Sequence, residues 1–512
     1  MSFLRATVII GALIAAAYLW TTFQTEPMPP VPAAGVRYID SVAVMPLSDE
    51  TGNMDLRNAG ISIANEITSR LSGIPSLKVI SHHSARALAN DGLTIGQLGG
   101  ALNVRQVING SISLDSGEVR ISISQVNAET GQSAWTENFR TTINRIPELQ
   151  EEISRTVTDR LVGATPGLAA PDYDVRSGIG PGQTAYLAGL QWMGERTPAS
   201  MRNAITEFQR AIELDPGMAP AYADLSSAYA LAVFYRYDVG VDSYAMAARS
   251  LAFADHAIAL DADLAAGYAA RGYLGALLGR RAEDVAADFD RAAELQPNAA
   301  SIPSWRARSL AQLGQYEEAF AEASRAIDLD PLAPGRHIAL AELSLQLGRF
   351  DQAIASAKMA SALEPGIVRS RVIEARALLL NGNPQRCAAM QLGPHQVLRA
   401  TCLKLSGQAA EADDIIEQTL ADIREDRLRS NGTTDVAIFE DLAVYFAFRG
   451  DAENALFWSA KAYAASPVGL EIRVLESQLF EKVRDDPRFS TAIAGIRADI
   501  FDRVRRDSAQ YR

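Results

Sequence analysis

Few side chains in this sequence have the type and spacing that chemistry requires. His82-His83 is the only close histidine pair. Imidazole binds zinc, but neighbours on a strand or loop point apart and no third ligand lies near, so a surface or capping role fits better. Gly178-Ile179-Gly180-Pro181-Gly182 is glycine-rich. A phosphate-cradling loop follows a strand and opens a helix, whereas this run follows no strand and contains proline, which makes it a linker. Asp413-Asp414 and Asp485-Asp486 read as solvated helix faces or caps. No G-x-S-x-G, Walker A or H-E-x-x-H pattern occurs. The expectation is therefore no catalytic residue, no metal and no cofactor. An enzyme reading would need a cluster of perturbed acids or a nucleophile–base pair that the spacing does not reveal.

The two cysteines, Cys387 and Cys402, permit one inference. Suppose that Pro384–Leu392 and His395–Leu405 are antiparallel helices joined near Gly393-Pro394. The two thiols then fall opposite each other and form a disulfide outside the cytoplasm. The alternative is a pair of buried small hydrophobes.

Bulk composition narrows the class. The chain has 512 residues, 48% apolar and 21% charged, with a net charge of −13. Two or more domains are expected at that length. The acidic balance argues against a nucleic-acid partner, which needs excess Lys and Arg to neutralise phosphates.

Residues Ala6 to Phe23 contain 18 residues and no charge, about the minimum for a membrane-spanning helix. Arg5 precedes the run, and the first charge after it is Glu26. The positive-inside rule puts the N-terminus in the cytoplasm and the bulk outside. Ala15-Ala16-Ala17 offers a signal-peptide cleavage site, but Tyr18, Leu19, Trp20 and Phe23 extend the apolar run beyond it and favour a retained anchor. Four prolines in Glu26–Gly35 then make a stiff spacer.

From Val36 to Val162 the pattern is mixed. Tyr38–Pro46 reads as a buried strand and Leu77–Ser81 as a second one. Leu56–Leu71 is helical, with Ile61, Ala64, Ile67 and Leu71 on one face, and short helices follow around Ser84–Leu88 and Thr94–Leu102. Alternation through Val107–Leu114, a turn at Asp115-Ser116-Gly117 and the return of Val119, Ile121 and Ile123 make a hairpin. Ser133–Thr142 is a further strand, and Glu148–Leu161 an amphipathic helix. The order of Ser41–Leu47, Leu77–Ser81, Ile95-Gly96, Leu102-Asn103-Val104, Gly110-Ser111, Val119-Arg120-Ile121, Thr130-Gly131, Trp135 and Leu149-Gln150 resembles the amino-terminal domain of the translocation protein TolB. The resemblance implies a non-catalytic α/β module used in protein interaction. Arg105-Gln106 and Arg140-Thr141 depart from the usual pairs there, which bears on shared surface contacts and not on the fold.

The remainder repeats. Pro297, Pro331 and Pro365 are 34 residues apart, and so are Gly314, Gly348 and Gly382. Leu313–Ala319 matches Leu347–Ala353, and Arg325–Pro331 matches Arg210–Pro216. Each period is two antiparallel helices, with glycine at the tight turn and proline closing the unit. This closely resembles the tetratricopeptide repeat. Units end at Pro216, Pro297, Pro331, Pro365 and Pro467. Another ends near Ala262, with an insertion around Val233–Tyr244. Val368–Asp426 is degenerate, a loop is added at Arg424–Thr434, and Phe480–Phe489 resembles a closing cap. Proteins with this pair of domains often carry a nucleotide cyclase or a winged-helix domain ahead of the span. Five residues precede it here, so neither activity is expected.

The expected layout is an anchor at 1–25, a spacer at 26–35, the α/β domain at 36–162, a linker at 163–182 and an all-α solenoid with a cap at 183–512. In the resembled family the first helix of each unit lines a concave groove. Counted from the aligned glycines, Tyr273, Arg308, Gln312, Glu342 and Gln346 face it; the alternative is that these are ordinary exposed helix positions. The expected function is a non-enzymatic scaffold, tethered to the inner membrane and facing the periplasm, that holds a protein or peptide in the groove. The alternative is a sensory protein whose α/β domain binds a ligand and whose repeats relay to a membrane partner.

Overall fold

In a computed structural model of the chain, the described residues are 38–495, apart from 90, 116, 167, 169–181, 195–196, 236, 238, 242, 279, 426–432 and 466–477. The anchor, the spacer and most of the linker lie outside them, as do most of the Arg424–Thr434 loop and the Pro467 unit end. No described helix is long and apolar enough to cross a membrane. The described residues all fall in one compact unit.

Among the described residues, six strands form one sheet. They are β1 (Asp40–Val44), β2 (Ser48–Asp49), β3 (Leu77–Val79), β4 (Gln106–Asp115), β5 (Glu118–Asn127) and β6 (Ser133–Thr141). The order is β3-β1-β4-β5-β6, and β2 also pairs with β4. The first three strands of that order are parallel, and β4 to β6 are antiparallel with Ile112 opposite Ile121. Parallel pairing needs crossovers, which α1 (Met54–Ser72), α2 (His82–Ala87) and α3 (Ile95–Leu102) supply. Helix α4 (Ile146–Ala164) follows β6.

Alternation along β1 divides the core in two. Val42 and Val44 face α1 and α4, where Leu56, Ile63, Ile67, Ile153, Val157 and Leu161 close an apolar layer with Ile108, Ile112 and Ile121. Ile63 rather than Ile61 takes the deep place on α1. Ala43 and Met45 face the other way, against Ile80, Ala85, Leu98 and Leu102. Gly110 permits close packing in the middle of the sheet, because a Cβ there would lie 2.1 Å from the Ser122 carbonyl.

Sixteen further helices pair off along the described chain. They are α5 (Gln183–Gly194), α6 (Pro198–Leu214), α7 (Ala219–Tyr235), α8 (Ser243–Leu260), α9 (Ala265–Leu277), α10 (Ala282–Leu295), α11 (Ser301–Gln312) and α12 (Tyr316–Leu329), followed by α13 (Pro334–Gln346), α14 (Phe350–Leu363), α15 (Val368–Leu380), α16 (Pro384–Ala388), α17 (Gln396–Leu405), α18 (Ala409–Arg424), α19 (Thr433–Phe448) and α20 (Ala452–Ala465). Between α11 and α12, Gly314 takes φ +79° and the Gln315 N–H returns to the Leu310 carbonyl at 2.9 Å. This left-handed cap satisfies carbonyls at the helix end, and only glycine adopts it without strain. Buried Ala307, Ala319 and Ala326 sit where helices meet. Helix α16 is short, so its unit is truncated. Phe480 and Phe489 stack 5.4 Å apart in the same core as Tyr445 and Trp458.

The sheet and the solenoid are joined by buried polar contacts. The Ser81 N–H donates to the Leu329 carbonyl at 2.8 Å. Both the Ser81 and Ser84 hydroxyls donate to one oxygen of Asp330, the latter at 2.7 Å. The Leu332 N–H donates to the Ser84 hydroxyl at 3.0 Å, and the Leu332 side chain packs on the second core of the sheet. One unit earlier, Asn298 Nδ2 donates to the Ile74 carbonyl at 2.7 Å and the Asn298 N–H to the Ser72 carbonyl at 3.3 Å. These contacts flank β3, whose three residues are all buried.

Candidate functional site

The candidate site lies where the first helices of successive pairs converge. A shallow pocket is lined by Ala307, Arg308 and Ala311 of α11 and by Ala339, Glu342 and Leu343 of α13. The small residues come from the repeat pattern itself. They keep the two helices close and leave Arg308 and Glu342 as the polar groups of the hollow. Glu342 pairs with Arg369 of α15, with Arg369 Nε 2.5 Å from Glu342 Oε1. The Arg308 guanidinium lies 3.6 Å from the centroid of Phe234 at the end of α7, and that of Arg369 lies 5.1 Å from the same ring. Burial in the hollow lowers the Arg308 pKa against the opposing pull of Tyr235, Tyr273 and Glu342. Arg308 makes no hydrogen bond or ion pair among the described residues.

Of the five groove positions expected from the repeats, Arg308 and Glu342 meet in this hollow. Gln312 is exposed and Gln346 half-buried. Tyr273 is different, being only 3% exposed and packed against Trp305, with ring centroids 4.4 Å apart and planes tilted by 41°. The register explains this. Tyr273 lies 34 residues before Ala307, so it occupies the position that is buried in the next unit.

The same register picks out a residue that the sequence reasoning missed. Arg308, Glu342 and Arg376 are spaced 34 apart. Arg376 Nη2 lies 3.1 Å from Asp441 Oδ1, and His395 Nδ1 lies 2.7 Å from Asp441 Oδ2. Burial pushes the Asp441 carboxyl up, but His395 and Arg376 more than offset it and hold it below the usual range. Local pattern carries no signal for this triad, because its members are separated by 46 and 65 residues.

The other candidates are also placed. Cys387 and Cys402 are joined as a disulfide with their Cα atoms 5.7 Å apart. His82 and His83 open α2, and burial lowers the His82 pKa. Among the described residues, no group of three or more His, Cys, Asp or Glu side chains could hold a metal.

No family model matches the chain. A stretch of 203 residues is 29% identical to "Putative adenylate cyclase 3" of Rhizobium meliloti (strain 1021), covering 39% of this chain. It spans 34% of that relative's length, and the activity in the name is that relative's. Solved structures to which the chain is similar include a thermophilic tetratricopeptide-repeat protein of Thermus thermophilus (24% identity, 39% of this chain and 99% of that one, TM-score 0.32). Another is YrrB, a tetratricopeptide-repeat protein with an unusual peptide-binding site (16% identity, 41% and 97%, TM-score 0.27). A third comes from Parabacteroides merdae ATCC 43184 (12% identity, 60% and 99%, TM-score 0.32). The helical part of this chain is a tetratricopeptide-type solenoid. Its paired helices, its glycine turns and the 34-residue period define it as one.

Proposed function

We propose that the chain is a non-enzymatic interaction scaffold whose solenoid holds a protein or peptide segment in the hollow between α11, α13 and α15. The observation that supports this is Arg308, half-buried and unpaired among the described residues, beside the Glu342–Arg369 pair. A guanidinium drawn out of water without an acceptor is costly in isolation and favourable once a carboxylate or carbonyl meets it. The sheet domain, fixed to the solenoid through Asp330 and Asn298, holds the groove in one orientation relative to the sheet. In this reading the apolar run Ala6–Phe23 anchors the assembly in the inner membrane with the body on the periplasmic side. The Cys387–Cys402 disulfide fits an oxidising compartment. The relay alternative draws on the same Asp330 junction, since a rigid joint transmits a change in the sheet domain to the repeats.

The test is site-specific photocrosslinking in cells. A benzophenone side chain at exposed Gln312 is expected to give one dominant adduct, lost on Arg308→Glu. The same probe at Met359 on the outer helix α14 is expected to give none. Equal adducts at both positions refute the groove reading. Fusion of a periplasm-dependent reporter after Arg512 tests the orientation.

A further inference from the structure

The last turn of α7 brings two aromatic rings to the groove. Phe234 sits on α7, yet the guanidinium groups on its ring come from α11 and α15. Tyr235 lies beside it, with ring centroids 4.9 Å apart. Its hydroxyl stands 3.4 Å from the place a Cβ would take at Gly335, the second residue of α13. Four steps between neighbouring first helices separate α7 from α15, a path of roughly 35 Å at the usual spacing. Side chains that close such a gap cross the hollow rather than line one wall of it.

The ring therefore stands where part of a guest would stand. Its two cations are of the kind that recognise an aromatic face. Arg369 is already engaged by Glu342, whereas Arg308, its guanidinium carbon 3.6 Å from the ring centroid, makes no hydrogen bond among the described residues, and its N–H donors are of the kind that meet a planar anion. The chain fills the aromatic half of the site and leaves the anionic half open. We propose that Phe234 is an internal occupant of the groove, displaced by a peptide that presents an aromatic side chain next to a carboxylate. This rests on the reading of the hollow as a protein-binding groove and specifies its ligand.

The experiment measures fluorescence anisotropy of a labelled heptapeptide, Gly-Ser-Asp-Phe-Asp-Ser-Gly, against full-length protein in mild detergent. Wild type is compared with Phe234→Ala, with the milder Phe234→Leu and with Phe234→Leu/Arg308→Gln, each checked for helicity by circular dichroism. Removing the internal ring is expected to tighten binding about tenfold, the equivalent of one lost cation–π contact. Adding Arg308→Gln is expected to reverse that gain. Equal affinity in wild type and both Phe234 variants, with loss in the Arg308 variant, makes Phe234 a wall and overturns the proposal while the groove reading stands. No binding by any variant overturns the proposed ligand class, and the crosslink at Gln312 still decides the groove reading separately.

Discussion

Replacing Asp330 by alanine should loosen the joint between the sheet and the solenoid without unfolding either. Asp330 is 4% exposed. Its one oxygen accepts from the Ser81 and Ser84 hydroxyls, and its other lies 3.5 Å from Arg336 Nη2. Hydrogen bonds to a charged acceptor contribute about 1.5–3 kcal/mol each, and stranded buried donors add a cost of their own. Two hydroxyls are stranded here, and part of the loss is recovered by water entering the space, so a net effect of about 3 kcal/mol on opening of the joint is expected. A single unfolding midpoint is a poor readout in a repeat protein. Amide hydrogen exchange is the suitable assay, because it reports opening segment by segment. Exchange in Ser81–Leu88 should rise about a hundredfold in Asp330→Ala, at roughly 1.4 kcal/mol per decade. The helices from α17 onward should be unaffected. Asp330→Asn, which keeps one acceptor, should fall between. Unchanged protection of Ser81–Leu88 in Asp330→Ala would refute the assignment of Asp330 as the hub of the joint.

Other outcomes follow from the same structure. Burial raises the Asp224 pKa to about 6, with a hydrogen bond from Tyr186 opposing that shift. Because the folded value lies above the unfolded one, the folded state binds the proton more tightly, and stability is lost as pH rises from about 4 through 6. Asp224→Asn should therefore raise the melting temperature at pH 7.5 and leave it unchanged at pH 4, and equal gains at both values would contradict this. Reducing the Cys387–Cys402 disulfide opens a loop with a sequence separation of 15 residues and should cost about 3 kcal/mol in the chain-entropy picture. It would appear as faster exchange in α15–α18, whereas free thiols by mass spectrometry of native protein would show that the bond is not made. A Cβ at Gly189 would lie 2.5 Å from the Phe208 ring, so Gly189→Ala should destabilise the first helix pair by about 1–3 kcal/mol through overpacking. An unchanged melting profile in that variant would contradict the close approach.

Much of this architecture is written locally. The hairpin of β4 and β5 shows in its alternation and its Asp115-Ser116-Gly117 turn, and the helix pairs show in glycines and prolines that must recur wherever a turn recurs. Strand β2, two residues long, has no period to detect. The order β3-β1-β4 depends on crossovers rather than on any one segment. The Asp330-Pro331 pair reads as a helix stop, and it is one. Its use as a joint depends on Ser81 and Ser84, 249 and 246 residues earlier, and no spacing rule reaches that far. The 34-residue repeat places Arg308 and Glu342 at matching positions of two helices, where they line one hollow. Phe234 stands in the last turn of α7, and the break in the repeat that follows marks the place without revealing that the ring meets Arg308 and Arg369. Tyr273 is in register with buried Ala307, and Leu274, in register with Arg308, is fully buried as well, so this unit gives the groove neither side chain.

The most direct test of the central claim is the stoichiometry of complexes affinity-purified with the full-length protein from cells lysed in mild detergent, wild type beside Arg308→Glu. One protein partner near unit stoichiometry is expected with wild type, reduced at least about tenfold by the charge reversal, with both proteins equally folded. A partner retained in full by Arg308→Glu would mean that the hollow between α11, α13 and α15 is not where this protein does its work.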